Sequence, residues 1–575
     1  MSKNGSSGCF CSGLAVFLFL LYSAAGFGAP PAKAIHGDAA PQASGMDHDH
    51  GAMPMDMDMD HDHEAMKKGD ADHEHAHAGH AHGAMTPAAP VVWSLLLASL
   101  AIAGGLIWSA RRALRRSPPV ESMARANVLD LPVIGKILRS RRFLAFLIAP
   151  TMVVFLLIVL VGLRGEQDTG NPAILLTWIL WWPAVILTFF LAGRVWCSFC
   201  PSGYLGQAAQ KIFSLRLRVP GMLKNMWWRL GLFLALTWVT TLCALDRWPL
   251  GTAWLGLGLT LGAITLAVVF EKRTFCRYVC PVGGVFGLYS MAAPLRLAVK
   301  DKSLCGHACS GKDCFESCAW FQFPPAMDRG AECSLCLDCV RACPKDNIAL
   351  RTQAPGADLA SFHSHSKSLD EASAVAAVLG VALLQTAVML HGWSGWEAKV
   401  GTWLHLAPGP TLYTIVYAGV GAVLPLLLLA LVSYASQAQG QGGGGLGRAL
   451  RTYVYCFLPL GLALHAAHNF HHLFGEGAAI WPGLKKALAQ YVGWTSLAPP
   501  PEAAASAAPD LLFLLQWATL MGGLYLTYRV GVARVRGNGL PPERAFRSVL
   551  PILLFAAAYT VMNVFMLSAP MAHRH

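Results

Sequence analysis

The chain has 575 residues, of which 55% are hydrophobic and only 13% are charged, and its mean hydropathy is +0.46. This composition is typical of a polytopic membrane protein and excludes an ordinary soluble domain. The net charge of +12 does not indicate a nucleic-acid partner. Lys and Arg lie at the ends of apolar runs, the pattern that orients membrane helices, and no basic stripe carries interleaved aromatic residues.

Residues 1–34 have the pattern of a secretory signal peptide. Lys3 gives this segment a positive start, residues 14–22 form its apolar core, and small residues follow up to Ala29. The apolar core is short for a spanning helix, which favours cleavage. An uncleaved membrane anchor is the alternative.

Residues 35–90 form a low-complexity tract rich in His, Met and Asp, which cannot bury a core and is expected to be disordered. The candidate metal ligands are His48, His50, Met53, Met55, Met57, Met59, His61, His63, His73, His75, His77, His80 and His82. Imidazole suits Cu(II), zinc or nickel, whereas a thioether favours Cu(I), so the alternation of Met with Asp over residues 55–59 indicates copper. The alternative is a solvated acidic linker with incidental histidines.

The rest of the chain is predicted to be an all-α polytopic membrane protein with about ten spanning helices in the lipid bilayer. Its apolar runs are 91–109, 143–163, 174–194, 229–245, 252–270, 374–393, 411–434, 452–472, 511–528 and 548–567. They form a first transmembrane region, 91–300, and a second, 374–575. Arginines from Arg111 to Arg116 follow the first run and mark that end as cytoplasmic. We therefore expect a bacterial inner-membrane protein with a periplasmic His/Met tract.

Residues 301–352 are expected to be a cytoplasmic ferredoxin-like insertion, which a linker, 353–373, joins to the second region. From Cys333 to Pro344 the run Cys-x₂-Cys-x₂-Cys-x₃-Cys-Pro matches the bacterial ferredoxin pattern for [4Fe–4S] binding, in which the fourth cysteine serves the other cluster. A second, looser quartet precedes it. The predicted ligands are Cys333, Cys336, Cys339 and Cys318 for one cluster, and Cys305, Cys309, Cys314 and Cys343 for the other. Zinc sites usually show two separated C-x₂-C pairs, and disulfides do not explain this run.

Two further cysteine pairs lie at the predicted cytoplasmic ends of helices, and each is followed by proline. They are Cys197-Ser-Phe-Cys200-Pro201 and Cys276-Arg-Tyr-Val-Cys280-Pro281. These four cysteines are the candidate catalytic residues, because a four-thiolate site would suit Cu(I), zinc or iron–sulfur. A reversible dithiol and unpaired buried cysteines are the alternatives.

The combination of two membrane-end cysteine–proline motifs with two [4Fe–4S] quartets resembles the membrane-bound polyferredoxins of the NosR/NapH/CcoG type. The resemblance covers residues 143–350. It implies electron transfer at the cytoplasmic membrane of a bacterium, in support of periplasmic redox and copper enzymes, and in the CcoG branch Cu(II) reduction. The first quartet is unusually spaced, no flavin-binding domain of the NosR kind is visible, and residues 374–575 lie outside the resemblance.

The second transmembrane region carries candidate metal-ligating histidines. His465, His468 and His472 share one face of the eighth predicted helix, and His391 lies near the outer end of the sixth. Ionisable residues inside a membrane are costly and usually functional. A copper path that receives metal from the tract and a b-type haem held by two histidines from different helices are the functional interpretations. Solvated histidines at the head groups are the alternative.

Together these features predict an iron–sulfur protein that passes electrons from a cytoplasmic donor, such as ferredoxin or flavodoxin, to a metal centre. The expected acceptor is Cu(II), reduced to Cu(I) for copper handling or for a periplasmic copper protein, which would make the chain a cupric reductase. A copper or iron permease with a redox-linked gate and an assembly factor for a periplasmic oxidoreductase stay open. The clusters and the tract are predicted on opposite faces of a bilayer about 30 Å thick, too far for direct electron transfer.

Overall fold

The structure is a computed structural model that describes residues 86–116, 126–307, 309, 312–361, 368–494 and 508–571. The predicted signal peptide and every candidate ligand of the His/Met tract lie outside the described residues. The first described helix begins at Ala89, next to the predicted end of the tract.

Eight helices in the described part are long and apolar enough to cross a membrane. They are α1 Ala89–Arg115, α2 Arg141–Arg164, α3 Pro172–Ile212, α4 Pro249–Val269, α5 Leu369–Val388, α6 Pro410–Gly440, α7 Pro509–Arg536 and α8 Pro542–Ser568. The prediction of about ten is not confirmed. The run 229–245 forms a helix of only 16 residues, Trp227–Leu242. The run 452–472 is divided among several short helical segments.

The remaining elements are short. The α-helices are Pro132–Arg139, Trp227–Leu242, Pro281–Phe286, Leu304–His307, Lys312–Ser317, Asp338–Ala342, Ala357–Ser361, Trp393–Leu404, Leu446–Tyr453, Leu458–Phe470 and Ile480–Val492. The 3₁₀ turns are Val128–Asp130, Gly193–Val195, Gly221–Leu223, Gly287–Ala292, Pro324–Ala326, Val454–Phe457 and Gly477–Ala479. The π-helical segments are Leu175–Trp181, Phe275–Val279, Tyr417–Val423 and His471–Glu476. Three of these four segments adjoin the candidate sites described below, and π segments often occur at functional sites.

The helix Leu458–Phe470 lies at the centre of the membrane helices. All of its residues are buried, and it packs against α5, α7, α8 and residues 182–192 of α3. A helix surrounded by protein is apolar on every face. This position explains why a helix too short to span a membrane still has the composition of a spanning one, and it places His465 in the interior.

The ferredoxin segment is closed by a two-stranded antiparallel sheet. Strand β1, Leu295–Val299, pairs with β2, Ile348–Thr352, so the segment includes residues before the predicted start at 301. Residues 126–139 pack on the same unit, because Leu129 belongs to its hydrophobic core and Asn127 Oδ1 accepts the N–H of Leu350 at 3.0 Å. The predicted linker contains the helix Ala357–Ser361, and α5 begins five residues earlier than predicted.

A turn in α3 precedes the first membrane-end motif. The helix is interrupted at Gly193, whose φ of +60° lies in the left-handed region that favours glycine. The chain then passes Cys197 and Cys200 before a new helical stretch begins at Pro201. Pro281 likewise begins a helix after the second motif. Proline suits a first helical position because its missing N–H would have no helical partner there.

Candidate iron–sulfur and thiol sites

The first cavity lies in the ferredoxin segment, and its volume, open solvent at its mouth included, is about 370 Å³. Its four sulfur-bearing residues are Cys305, Cys309, Cys314 and Cys343. Asn347 ties two of them together: its backbone N–H donates to Cys343 Sγ at 3.3 Å, and its side-chain Nδ2 donates to Cys305 Sγ at 3.3 Å. Pro344 and Lys345 line the cavity and are exposed, so this end of the segment faces the surface.

The second cavity has a volume of about 340 Å³, open solvent at its mouth included. Its four cysteines are Cys318, Cys333, Cys336 and Cys339, and Met327 also lines it. The backbone N–H of Leu335 donates to Cys333 Sγ at 3.4 Å, and that of Gln322 donates to Cys318 Sγ at 3.4 Å. Leu335 and Leu337 both have positive φ, which makes the tight loop that winds three cysteines around one point.

The residues of both cavities fit a [4Fe–4S] cluster. Each cavity offers four thiols without a histidine or carboxylate in its lining, and backbone N–H groups point at the sulfurs, an interaction that tunes such clusters. Burial raises the pKa of Cys333 to about 11 and that of Cys336 to about 12, so without a metal both stay protonated at neutral pH. The structure brings together the two sets that the spacing predicts; their binding of clusters stays a prediction.

The two membrane-end motifs meet in a third group of four thiols, the membrane-end thiol site. It consists of Cys197, Cys200, Cys276 and Cys280. A Cβ atom added to Gly283 would lie 3.2 Å from Cys197 Sγ and 3.7 Å from Cys280 Sγ. A Cβ added to Gly203 would lie 3.4 Å from Cys276 Sγ. The glycine that follows each pair therefore faces the first cysteine of the other pair, and a larger residue would crowd the sulfurs.

The two motifs are an internal repeat. An arginine precedes the first cysteine by three residues in both, Arg194 in one and Arg273 in the other. Arg273 Nη1 donates to the carbonyl of Cys197 at 2.9 Å, so each repeat contacts its partner. The second motif has one extra residue, which the π segment Phe275–Val279 accommodates: the N–H of Cys280 donates to the carbonyl five residues earlier, at 2.7 Å.

A buried carboxylate joins the second cavity to the membrane-end thiol site. Glu332, directly before Cys333, forms ion pairs with Arg277 and, at 3.5 Å, with Arg194 and Arg229. Burial alone would raise the pKa of Glu332, but the three guanidinium groups, Arg277 first among them, hold it well below the usual range. Sequence reasoning missed this network. The arginine repeated three residues before each cysteine pair is a signal that could have found one member of it, Arg194.

Arg194 is the closest link between the two sites. It is fully buried, and its guanidinium group lies 4.5 Å above the ring of Trp320, which lines the second cavity. The same side chain interacts with Cys197 and with Cys333, one from each site. Cys339 of the second cavity shares a hydrophobic core with Cys314 of the first. The three four-cysteine groups therefore follow one another from the surface of the ferredoxin segment to the membrane helices.

An aromatic cluster connects the membrane-end thiol site to His465. Trp196, the neighbour of Cys197, contacts Trp181, and Trp181 contacts Trp182, with ring centroids 6.0 and 5.9 Å apart. Trp182 and Phe286 then flank His465 at 6.2 and 5.0 Å. The imidazole lies within hydrogen-bond range of the Tyr289 hydroxyl, with Nδ1 and Oη 3.4 Å apart.

The other candidate histidines do not form a ligand set with His465. His468 and His472 are buried one turn apart, and His472 Nδ1 lies 3.2 Å from a carboxylate oxygen of Glu476. His391 is exposed and lies against the carbonyl of Pro570. In the part of the chain that the structure describes, no group of three or more His, Cys, Asp or Glu is arranged to hold a single metal ion. The predicted copper and haem sites at these histidines therefore find no support in the described residues.

Comparison with known proteins bears on the membrane-end motifs. A family model described as a 4Fe–4S binding domain matches residues 174–220 and 252–299, the segments that carry the two motifs. The ferredoxin-type protein MauN of methylamine utilization in Paracoccus denitrificans is 28% identical over 141 residues, 22% of this chain and 49% of that protein. Protein NirI of the same organism is 29% identical over 240 residues, 36% of this chain and 34% of NirI. The putative electron transport protein YccM of Escherichia coli is 26% identical over 114 residues, 20% of this chain and 30% of YccM. No solved structure matches.

The cysteine cavities, the apolar helices and these matches define a membrane-associated iron–sulfur electron-transfer protein. More particularly, the chain is similar to ferredoxin-type proteins of a polyferredoxin-like family, which is the resemblance that its motifs indicated. The chain spans about half, or less, of the length of these curated relatives.

Proposed function

We propose that the protein carries electrons from a soluble cytoplasmic donor to the membrane-end thiol site and that Cu(II) is the final acceptor, reduced to Cu(I). The observation that carries the electron route is the succession of three four-cysteine groups, linked by Cys314 with Cys339 and then by Arg194. A [4Fe–4S] cluster, when bound, supplies one-electron redox chemistry at each ferredoxin cavity.

Electrons would enter at the first cavity. Its rim carries the exposed Lys345, and Lys300 lies close by in an ion pair with Asp346. Positive residues at this rim favour an acidic donor such as ferredoxin or flavodoxin, because complementary charge speeds encounter. Further along the route, the fully buried Trp320 and Arg194 exclude water between the second cavity and the membrane-end thiol site.

Copper as the acceptor is supported by the sequence. The His/Met tract offers imidazoles for Cu(II) and thioethers for Cu(I), and reduction would shift the preference of the ion from the first to the second. The arginines that follow α1 support a periplasmic tract and a cytoplasmic ferredoxin segment. The aromatic contacts from Trp196 to His465 support a route from the thiol site into the membrane helices.

Anaerobic stopped-flow spectroscopy tests this proposal. The full chain, reduced with dithionite and freed of excess reductant, is mixed with Cu(II), in parallel with a variant that lacks residues 36–85. Rapid return of the oxidised cluster absorbance with formation of Cu(I) supports a cupric reductase, and slower reoxidation of the truncated chain would make the tract its copper feeder. Clusters that stay reduced while copper binds would overturn copper as the acceptor. Absence of iron and acid-labile sulfide from the anaerobically purified chain would overturn the electron route itself.

A further inference from the structure

The helix Pro132–Arg139, the surface helix, has one side that is apolar and exposed. Val133, Ile134 and Ile137 lie on that side and are 67%, 46% and 44% exposed. The opposite side packs on the ferredoxin segment: Leu138 contacts its hydrophobic core, and a Cβ atom added to the buried Gly135 would clash with the backbone before the helix. A contiguous apolar patch of this kind marks a contact with a partner or with a membrane.

The place of the surface helix in the chain favours the membrane. Ser140 alone separates it from α2, which begins at Arg141. Two Cα steps span at most about 7.6 Å, so the surface helix ends close to the point where α2 enters the lipid. The buried residues of α2 lie from Val159 onward, and Phe146 near its start is 73% exposed. The apolar side of the surface helix is therefore next to the lipid-facing end of α2.

The charges around the surface helix favour an anionic surface. Residues 131–146 contain four basic residues and no acidic one. Arg139 forms an ion pair with Asp346 at 2.7 Å, and the other three, Lys136, Arg141 and Arg142, are exposed. Long basic side chains beside an apolar face reach lipid phosphates while their stems stay in the apolar layer. A second copy of this chain would bring the same positive charges to the contact and is disfavoured.

We propose that the surface helix lies in the interface of the leaflet that α2 enters and that it binds anionic phospholipids there. Its three exposed apolar side chains would lie among the acyl chains, and its basic residues would bind the phosphate groups.

This lipid contact would hold the ferredoxin segment to the bilayer. Arg341 Nη1 donates to the carbonyl of Leu138 at 3.2 Å. The partner of Arg139, Asp346, follows Cys343 of the first cavity by three residues. The lipid would therefore fix how the first cavity is oriented at the membrane surface, and the contact needs neither clusters nor copper.

Hydrogen exchange measured by mass spectrometry tests the contact in the full-length chain, purified anaerobically and placed as one copy in each lipid nanodisc. The discs contain either phosphatidylcholine alone or phosphatidylcholine mixed with phosphatidylglycerol. We expect the amides of residues 133–140 to exchange at least about fivefold more slowly in the anionic discs, which is the gain from one basic residue at such a surface. Equal exchange in the two kinds of disc would overturn the binding of anionic lipid.

The apolar side is tested by Val133→Ser/Ile137→Ser. This variant should exchange at least about tenfold faster than the wild type over the surface helix in both kinds of disc. The control, Val423→Ser, changes a valine of α6 that is 53% exposed and should leave the exchange of the surface helix unchanged. Equal exchange in the wild type and the double variant would overturn insertion into the leaflet. Protection that appears only with two chains in one disc would assign the apolar side to a second copy and would also overturn it.

The basic residues are tested by Lys136→Gln/Arg142→Gln, which keeps the apolar side intact. This variant should lose most of the difference between the two kinds of disc. The charge-preserving control, Lys136→Arg/Arg142→Lys, should keep that difference. The same difference in the wild type and in both variants would overturn recognition of the lipid phosphates by these residues.

Discussion

Replacing Glu332 with glutamine tests whether the buried arginines depend on this carboxylate. The side chain is 13% exposed and pairs with three guanidinium groups. An exposed ion pair contributes at most about 1 kcal/mol, but removing one member of a buried pair costs about 3–5 kcal/mol, because the partner stays charged. In the variant, Arg194 would still donate a hydrogen bond to the carbonyl of Ala331 at 3.1 Å and lie over the face of the Trp320 ring. We therefore expect the lower end of that range, a loss of about 3 kcal/mol in the free energy of unfolding.

Denaturant unfolding in detergent micelles, followed anaerobically by circular dichroism and cluster absorbance, measures this loss. Glu543→Gln, which removes an exposed partner of Arg115, is the control and should unfold like the wild type. The pKa of Glu332 is depressed, so its contribution is fully present above the unfolded carboxyl pKa of about 4.3 and is lost only as pH falls through the folded value. The difference between wild type and variant should thus be constant from about pH 8 to pH 5. Equal stabilities, or a difference that fades already near neutral pH, would refute the charged network.

Three further outcomes follow from the geometry. Cys309→Ser and Cys333→Ser should each remove about four irons per chain and leave the other ferredoxin signal in electron paramagnetic resonance; loss of the same signal in both would contradict two separate cavities. Asn347→Ala removes a side-chain N–H bond to sulfur, which is expected to be stronger when the first cluster is reduced. If the bond contributes about 0.5–1 kcal/mol more to the reduced state, the reduction potential of that cluster should fall by about 20–40 mV in the variant. An unchanged titration midpoint would count against that bond. Gly380→Ala should weaken the packing of α5 on α6 and lower the free energy of unfolding by about 1–3 kcal/mol, because the added Cβ would lie 2.3 Å from a proline ring of α6. The control is Gly419→Ala, whose added Cβ meets nothing within 4 Å, and it should unfold like the wild type.

The two sets of cysteines in the ferredoxin cavities could be predicted from the sequence because the members of each set are close together in the chain. Short spacings force a tight loop, and the positive φ values at Leu335 and Leu337 are how the backbone makes it. The packing of residues 126–139 on the same unit could not be predicted. That segment carries no cysteine or charge pattern that marks it, and its bond from Asn127 to Leu350 joins residues 223 positions apart.

Hydrophobicity also could not tell a lipid-facing helix from a helix enclosed by protein. Lipid tails are as apolar as leucine side chains, so residues 458–470 read as part of a spanning helix although they are surrounded by other helices. Because the sequence did not show whether His465 faces lipid, head groups or protein, it could be interpreted as part of a copper path, as a haem ligand or as a solvated histidine. Its environment of Trp182, Phe286 and Tyr289 comes from other parts of the chain and has no local signal.

The placement of buried charge in this protein follows the proposed electron route. Buried ion pairs are weak evidence for stability, because desolvation can exceed the attraction gained, so an arginine-rich network needs another reason to persist. Here the arginines gather where the ferredoxin segment meets the two cysteine motifs, and Glu332 is adjacent in sequence to a predicted cluster ligand. In the proposed route, an electron that arrives at the thiol site would bring negative charge into that positive surrounding. In the proposed route, reduction of the site would therefore partly recover the cost of burying the guanidinium groups.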